Sequence, residues 1–312
     1  MGIIGGAPLA YQRTPSAGPH PILRLASRRS VLALVQLRQV ESALKASVPD
    51  IDLLEVLLTT TGDDGSLPLS VGDEVGLFTS ALEAAVSRNQ ADAAVHSLKD
   101  LPTEPSDLAI LAVLERSAPW DVLVTREGHT LEELPRGSRV GTSSPRRAGF
   151  LALARPDLEL VEIRGNIDTR LAKLDAKQVD ALVLAEAGLV RLGVARAWQR
   201  LGPEPLLPAA GQGAIAVQGR ADHPLAQAVR RIDHRPTHRA VEAERACLQA
   251  LGGGCNLPLG VWATVQGRRL QIRGSLLEGG HVGSASAEGD LDAAQALGEQ
   301  LALALRRALG SS

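Results

Sequence analysis

At 312 residues the chain is long enough for two or three domains, and its 45% hydrophobic and 22% charged residues are typical of globular proteins with a packed core. A net charge of −2 gives no reason to expect a nucleic-acid partner or a membrane partner. No apolar run approaches the roughly 20 residues needed to cross a bilayer. The two cysteines, Cys247 and Cys255, are too few for a disulfide framework, so we expect a reducing, cytoplasmic location.

The first segment, 1–21, is rich in Gly, Pro and Ala and has neither a basic region nor a continuous apolar region. We interpret it as a disordered leader, not a signal peptide. From residue 22 onward, short aliphatic runs alternate with helical patterns, which is typical of α/β layers with largely parallel sheets. Predicted strands cover 22–25, 53–58, 93–96, 108–114, 122–125, 139–141, 158–163, 181–184 and 214–218. Predicted helices cover 30–46, 77–89, 145–154, 168–176 and 224–233.

The pattern changes near residue 232. A predicted helix at 239–251 precedes three strands with Gly-containing turns between them, at 259–265, 270–277 and 281–287, and a helix at 292–309 follows. The sequence therefore predicts two similar α/β lobes plus a smaller C-terminal α/β domain. The predicted boundaries are 22–115 with 214–231 for lobe 1, 116–213 for lobe 2, and 232–312 for the C-terminal domain.

Each of the two predicted lobes contains a similar corner, in which a strand is followed by Ser and Arg residues and then by a helix. The first spans 26–30, and the second spans 141–147, where Ser144 suits an N-cap and Pro145 the first helical position. Arg28, Arg146 and Arg147 lie at positively polarised helix starts, where they are repelled unless an anion is present. Solvated arginine is the alternative interpretation.

Further arginines follow other strands of the predicted sheets, namely Arg164, Arg170 and Arg191. Ligands of open α/β sheets bind outside the carboxyl ends of the strands, so these side chains can face one crevice. Guanidinium binds carboxylates in a bidentate manner, and the chain has no Walker-type phosphate loop. We therefore expect a ligand with several carboxylates.

Polar groups also end the predicted strand at 93–96. Asp100 is a candidate acid/base or cation-stabilising carboxylate, and Lys99 beside it would keep it ionised and bind an anion. A turn aspartate that caps a loop is the alternative. His96 is interpreted as structural.

The two cysteines differ in their surroundings. Cys247 shares a helical face with apolar residues and is predicted to be core. Cys255 follows three glycines, whose loop can approach a ligand closely, so its thiol is predicted to be a nucleophile or an attachment point, with a buried inert cysteine as the alternative. No metal site is predicted, because Pro236 separates His234 from His238 and no acidic or thiol cluster joins them.

Taken together and in order, six segments make the chain resemble the porphobilinogen deaminase (hydroxymethylbilane synthase) family from about residue 22 to its C-terminus. They are 24–30, 96–102, 141–147, 164–170, 209–214 and 244–258. The resemblance implies two lobes like type II periplasmic binding proteins plus the C-terminal domain. It also implies that four porphobilinogens are condensed with loss of ammonia, and that water then releases hydroxymethylbilane.

The resemblance further implies a dipyrromethane cofactor, joined by a thioether to Cys255. Asp100 matches the catalytic aspartate of the family. The implied cofactor-binding residues are Lys99, Ser144, Arg146, Arg147, Arg170 and Thr142. The implied substrate-binding residues are Arg28, Ser30, Arg164 and Arg191. No metal, nucleic acid or membrane is expected to take part, and a monomer is expected.

The chain departs from the family pattern at three places. The loop at 70–78, which matches a mobile lid in the family, is acidic and carries no lysine. Glu186 replaces an apolar residue, and Val31 replaces a common proline. Two competing hypotheses are a non-enzymatic bilobal anion-binding receptor or sensor, in which the Cys255 loop has no place, and a cysteine-dependent acyl-transfer enzyme, for which no histidine is placed as base.

Overall fold

The computed structural model describes residues 11–13, 20–59, 79–204, 206–254 and 257–310. Its strands are β1 (Tyr11–Arg13), β2 (Ile22–Arg28), β3 (Asp52–Leu58), β4 (Ala93–Ser97), β5 (Ala109–Val113), β6 (Asp121–Thr125), β7 (Arg139–Gly141), β8 (Glu159–Val161), β9 (Ala181–Ala185), β10 (Gln199–Arg200), β11 (Ile215–Gly219), β12 (Leu259–Gln266), β13 (Arg269–Glu278) and β14 (His281–Asp290). Its α-helices are α1 (Val31–Ser47), α2 (Ser80–Ser87), α3 (Pro145–Ala154), α4 (Ile167–Asp175), α5 (Glu186–Arg191), α6 (Ala226–Arg230), α7 (Arg235–Ala250) and α8 (Ala294–Gly310).

The strands form three sheets. The first has the order β1-β3-β2-β4-β11-β5, the second has β10-β6-β9-β7-β8, and the third has β12-β13-β14. In the first two sheets, aliphatic side chains from both faces of the strands are buried against helices. Examples are Leu23 and Leu25 of β2, which pack with Leu37 and Val40 of α1. This double coverage explains why these strands read as continuous hydrophobic runs.

The first two sheets share one topology. Each contains a strand that arrives from the other lobe, β11 in the first and β6 in the second, and this strand pairs antiparallel with both of its neighbours. The strands β2, β3 and β4, like β7, β8 and β9, pair in parallel. The predicted class, α/β with two lobes like type II periplasmic binding proteins, is confirmed. The sheets are mixed, however, because the crossing strand enters from the opposite direction.

The C-terminal unit is an antiparallel meander covered by α7 and α8. Gly267 and Gly279 adopt φ values of +60° and +57° in its two turns, where a residue without a Cβ is favoured. Cys247 is completely buried in the core beneath this sheet, with Leu259, Val261 and Leu301. Its prediction as a core cysteine is confirmed, and burial raises the pKa of its thiol to about 12.

Several local predictions need correction. Residues Tyr11–Arg13 form a strand that pairs antiparallel with β3, so the disordered leader predicted for 1–21 is wrong for these three residues. Helix α7 begins at Arg235, four residues before the predicted start, since Pro236 is tolerated in a first helical turn. A helix, α5, directly follows β9, and neither this helix nor β10 was predicted. The predicted start of α2 at residue 77 and the acidic loop at 70–78 lie outside the described residues.

Three units meet around the connections between the lobes. Arg116, in the connection from β5 to β6, forms an ion pair with Glu244 of α7, with Nη1 2.6 Å from Oε1. The rings of Trp120 and Trp262 meet edge to face, with centroids 4.8 Å apart. The C-terminal unit therefore packs directly against the connection from β5 to β6. Among the described residues, no helix is both long enough and apolar enough to cross a membrane.

Candidate active site

The corner between β7 and α3 is built as the sequence predicts. Ser144 is the N-cap of α3, and its Oγ accepts a hydrogen bond from the backbone N–H of Arg147 at 3.4 Å, with Pro145 as the first helical residue. Thr142 Oγ1 accepts from the backbone N–H of Ser144 at 3.2 Å. In the other lobe, Ser30 caps α1 by accepting from the N–H of Ala33 at 3.4 Å. The two corners thus hold their helix starts in the same way.

Arg146 and Arg147 turn inward from this corner to one buried carboxylate. Arg146 Nη1 lies 2.7 Å from Asp121 Oδ2, and Arg147 Nη2 lies 2.7 Å from Asp121 Oδ1. Burial opposes ionisation of Asp121, but attraction to both guanidinium groups outweighs it and holds the pKa well below its usual range. Asp121 is therefore part of the anion that these arginines need. One carboxylate between two guanidinium groups leaves a net positive charge.

Lys99 and Asp100 lie in a 3₁₀ turn, Leu98–Asp100, that directly follows β4. Lys99 Nζ donates to Gln212 Oε1 at 3.3 Å, and Gln212 Nε2 donates to Asp121 Oδ1 at 3.0 Å. Burial, together with repulsion from Arg147, lowers the pKa of Lys99 to about 8. Asp100 is exposed to solvent. A chain of polar contacts thus joins lobe 1 to the arginines of lobe 2.

Lys99, Asp100 and Gln212 line a cleft with a volume of about 280 Å³. Of the predicted site residues, Lys99, Asp100, Ser144, Arg146, Arg147 and Arg170 border it. Burial and repulsion from Arg147 lower the pKa of Arg170 to about 10. The negative charge of Asp100 acts in the opposite direction on this pKa. The lining carries four cationic side chains, and the carboxylates among the lining residues are those of Asp100 and Glu104. The cleft is therefore suited to an anionic ligand.

Cys255 and Asn256 lie outside the described residues. Both residues that flank them, Gly254 and Leu257, border the same cleft. The glycine loop also touches the Asp100 segment, because a Cβ added at Gly253 would lie 2.6 Å from Thr103 Oγ1. The chain around Cys255 thus borders the cleft that holds Asp100.

Other predicted residues do not border this cleft. Arg28 ends β2, and Ser30 caps α1. Arg164 is exposed, with Nε 2.7 Å from Glu162 Oε1, and Thr142 lies buried behind Ser144. Arg191 Nη2 donates to the carbonyl of Gly213, in the connection between the lobes, at 2.8 Å.

Two residues at the centre of this network, Asp121 and Gln212, were not predicted from the sequence. Asp121 lies one residue before the predicted strand at 122–125, and Gln212 lies within the segment 209–214, to which no role was given. The available signal was a carboxylate at the start of an otherwise apolar strand, since buried charges are normally paired.

Three polar residues outside the cleft have structural partners. Glu186 is buried and accepts hydrogen bonds from Trp198 Nε1 at 3.3 Å and Arg200 Nε at 2.8 Å. His234 Nδ1 contacts Thr237 Oγ1 at 2.8 Å, and His238 Nδ1 contacts Asp233 Oδ1 at 2.7 Å. Burial lowers the pKa of His96 to about 4, which keeps its ring neutral.

Solved structures and curated proteins resemble the chain to different extents. The Bordetella pertussis BvgS periplasmic VFT2 domain matches with a TM-score of 0.42 and 16% identity, covering 68% of this chain and 87% of that chain. The alkanesulfonate-binding protein SsuA from Xanthomonas axonopodis pv. citri bound to MOPS matches with a TM-score of 0.38 and 17% identity, covering 73% and 75%.

Sequence relatives are much closer. Porphobilinogen deaminase from Moorella thermoacetica is 47% identical, covering 90% of this chain and 91% of the relative. The proteins of the same name from Desulforudis audaxviator and Xanthomonas campestris pv. campestris are 44% and 45% identical, covering 89% and 90% of this chain and 92% and 94% of those relatives. Family models described as porphobilinogen deaminase, dipyromethane cofactor binding domain, and porphobilinogen deaminase, C-terminal domain, match residues 23–228 and 238–307. The chain belongs to the porphobilinogen deaminase family.

Proposed function

We propose that the cleft around Asp100 carries out the reaction of this family. The chain condenses four porphobilinogen molecules head to tail, with loss of ammonia, on a covalently bound dipyrromethane, and it releases hydroxymethylbilane by hydrolysis. One observation carries the assignment of the site. Asp100 lies in a cleft with Lys99, Arg147 and Arg170, next to the glycine loop that leads to Cys255. The alternative, a non-enzymatic anion receptor, gives no role to that loop.

The residues of the cleft fit a dipyrromethane. This group has two pyrrole rings, each with an acetate and a propionate, and the cleft offers Lys99, Arg146, Arg147 and Arg170 as cationic partners. We assign Cys255 as the thioether attachment point. When bound, the cofactor would supply the free pyrrole carbon to which the first porphobilinogen is added.

The remaining cofactor-binding roles go to residues of the second corner. Ser144 and Thr142 hold the start of α3 in place, so that Arg146 and Arg147 keep their direction into the cleft. Arg170 borders the cleft from α4, and its Nε donates to the carbonyl of Gly165 at 2.7 Å. We assign Arg146, Arg147, Arg170 and Ser144 to the cofactor carboxylates because they border the cleft on the side of lobe 2. Thr142 supports Ser144 from behind.

Asp100 is assigned as the catalytic residue. When the C–N bond of the aminomethyl group breaks and ammonia departs, positive charge develops on the substrate pyrrole. An ionised carboxylate near the pyrrole N–H stabilises that charge without reorganisation of solvent. The position of Asp100 at the end of a 3₁₀ turn, exposed to the cleft, leaves its carboxylate accessible to a substrate.

Substrate binding is assigned to Arg28, Ser30, Arg164 and Arg191. Arg191 contacts the connection between the lobes through the carbonyl of Gly213, and its buried Nε has no hydrogen-bond partner among the described residues. Arg28 and Ser30 stand at the corner of lobe 1 that matches the corner of Ser144 in lobe 2. Guanidinium groups on both lobes would hold the acetate and propionate of each new ring.

Intact-mass measurement tests the attachment. The wild-type protein is expected to exceed its sequence mass by one dipyrromethane, and Cys255→Ser is expected to have the plain mass. A wild type without added mass would contradict the assignment of Cys255. Asp100→Ala is expected to keep the added mass while losing turnover, and near-normal turnover would contradict the role of Asp100.

We further propose the organisation and setting of the enzyme. Lobe 1 comprises 22–115 and 214–231, lobe 2 comprises 116–213, and the C-terminal domain comprises 232–312, a division supported by the separate sheets. A cytoplasmic monomer is proposed, with porphobilinogen as its ligand and without nucleic-acid or membrane partners, in keeping with a net charge of −2. Light scattering coupled to size exclusion tests the monomer, and a dimer mass would contradict it.

A further inference from the structure

Arg245 of α7 holds the chain that directly follows Asp100. Its Nη1 donates to the carbonyl of Leu101 at 2.7 Å, and its Nη2 donates to the carbonyl of Pro102 at 2.5 Å. The side chain of Arg245 is partly buried. Burial lowers its pKa, and the negative charge of Glu104 acts in the opposite direction. A planar guanidinium group can engage both carbonyls at once, which fixes two successive peptide groups beside Asp100.

Two further contacts lie on the same side of α7 and its continuation. One turn before Arg245, Val241 packs with Leu98 and Leu101 in one buried cluster. Beyond the helix end, Gly253 approaches Thr103 so closely that an added Cβ would lie 2.6 Å from Thr103 Oγ1. Helix α7 and the loop that follows it therefore contact the 98–103 segment at three places, through Val241, Arg245 and Gly253.

We propose that Arg245 is a positioning residue that sets the place of the Asp100 carboxylate relative to the glycine loop at 252–254. This inference rests on the proposed roles of Asp100 and Cys255. The helix that carries Arg245 also leads into the glycine loop at 252–254, where Gly253 approaches Thr103 of the segment that follows Asp100. Misplacing a reacting group by about 1 Å can cost about 100-fold in rate.

The positioning role requires that one side chain bind two carbonyl groups at once, and a positive charge alone does not meet this requirement. In Arg245→Lys an ammonium group can satisfy one carbonyl but cannot bridge two with fixed geometry. In Arg245→Met both carbonyls lose their donors while the apolar length of the side chain is retained. A matched control is Arg239→Met on the same helix, where Arg239 Nη1 binds the partly exposed Glu242 at 2.6 Å.

The experiment compares these variants as cofactor-loaded, folded protein, verified by intact mass and thermal unfolding. Arg245→Met is expected to lower kcat by about 10- to 100-fold. Arg245→Lys is expected to fall between Arg245→Met and the wild type, and Arg239→Met to match the wild type. Free guanidinium at millimolar concentration is expected to restore part of kcat in Arg245→Met alone. A wild-type kcat in loaded Arg245→Met, whatever its melting temperature, would overturn the proposal.

A double-mutant cycle with Asp100→Glu separates this inference from the proposed function. If Arg245 acts through Asp100, the two kcat losses are not additive, because the longer carboxylate is already displaced. Additive losses would overturn the positioning role while leaving Asp100 catalytic. Full turnover in Asp100→Ala would instead contradict the function proposed for Asp100, irrespective of Arg245.

Discussion

Asp121 is a buried carboxylate that contacts several charged and polar groups of the site. It lies between Arg146 and Arg147, its side chain is fully buried, and Gln212 Nε2 donates to it at 3.0 Å. Because Gln212 also accepts from Lys99, the charge of Asp121 influences both lobes. Its carboxylate keeps two guanidinium groups in the interior, where they would otherwise be strongly unfavourable.

Replacement of Asp121 by Asn therefore leaves two buried guanidinium groups without a counter-charge. We expect the free energy of unfolding to fall by about 3–5 kcal/mol, as measured by denaturant titration. The control is Asp175→Asn, which removes an exposed partner of Arg196 and should change stability far less. Equal effects in the two variants would show that Asp121 does not compensate the buried charge.

Lys99 gives the cleft a dependence on pH. Burial and Arg147 lower its pKa to about 8, so it is mostly cationic below pH 8 and mostly neutral above it in the free enzyme. We expect the logarithm of the affinity of the cofactor-free Cys255→Ser variant for porphobilinogen, measured by calorimetry, to bend downward as pH rises through about 8. In Lys99→Arg the side chain stays charged, so this bend should disappear. Superimposable profiles for the two proteins would contradict the prediction.

The sequence was sufficient to predict that residues of several local motifs lie at one cleft, but not to predict the residues that reach it through packing. Ser144, Arg146, Arg147, Lys99 and Arg170 were all predicted, and all of them border one cleft. Asp121 was missed because its partners come from α3, 25 and 26 positions away, and meet it only when β6 joins the sheet next to β9. No spacing rule along the chain encodes that approach.

At the scale of elements, the loop from α7 to Cys255 depends on its glycines for different reasons. Gly252 and Gly253 both have positive φ, +97° and +32°. A Cβ at Gly252 would meet nothing within 4 Å, whereas a Cβ at Gly253 would meet Thr103 Oγ1 at 2.6 Å. Backbone strain is thus common to both positions, and the collision with the Asp100 segment belongs to Gly253 alone.

Gly253→Ala is therefore expected to reduce kcat of the cofactor-loaded enzyme, while Gly252→Ala carries only the backbone strain of about 1–2 kcal/mol and keeps kcat near the wild type. Adding Thr103→Ala to Gly253→Ala removes the colliding atom and should recover part of the lost rate. Steady-state kinetics on protein checked by intact mass gives the comparison. Equal kcat in the two single variants would show that the contact with Thr103 has no functional effect.

Most elements were predictable because their patterns are local, and the errors have physical causes. Strand β10 has only two residues, Gln199–Arg200, and pairs with β6 without an apolar pattern of its own. Helix α5 contains Gly188, a poor helix former, yet a Cβ there would meet Ile167 Cδ1 at 2.5 Å, so close packing selects glycine. Tertiary contacts thus override local propensity at both places.

At the scale of the molecule, Glu244 joins the two connections between the lobes to the C-terminal domain. This fully buried carboxylate accepts from Arg116 Nη1 at 2.6 Å, from the backbone N–H of Gly211 at 2.8 Å, and from the backbone N–H of Ala263 at 2.8 Å. Arg116 and Gly211 belong to the two connections, and Ala263 belongs to β12. One side chain thereby ties three units together.

Glu244→Gln keeps the volume of the side chain but removes its charge and replaces one acceptor with a donor. At least one of the N–H groups of Gly211 and Ala263 then loses its acceptor, and Arg116 loses its counter-charge. We expect the free energy of unfolding to fall by about 3–5 kcal/mol, with faster hydrogen exchange at one or both of these amides. The control is Glu242→Gln on the same helix, whose partly exposed pair with Arg239 should contribute about 0–1 kcal/mol. Unchanged exchange at both amides, with equal stability in the two variants, would mean that the units are held together by apolar packing such as the Trp120–Trp262 contact, and not by this carboxylate.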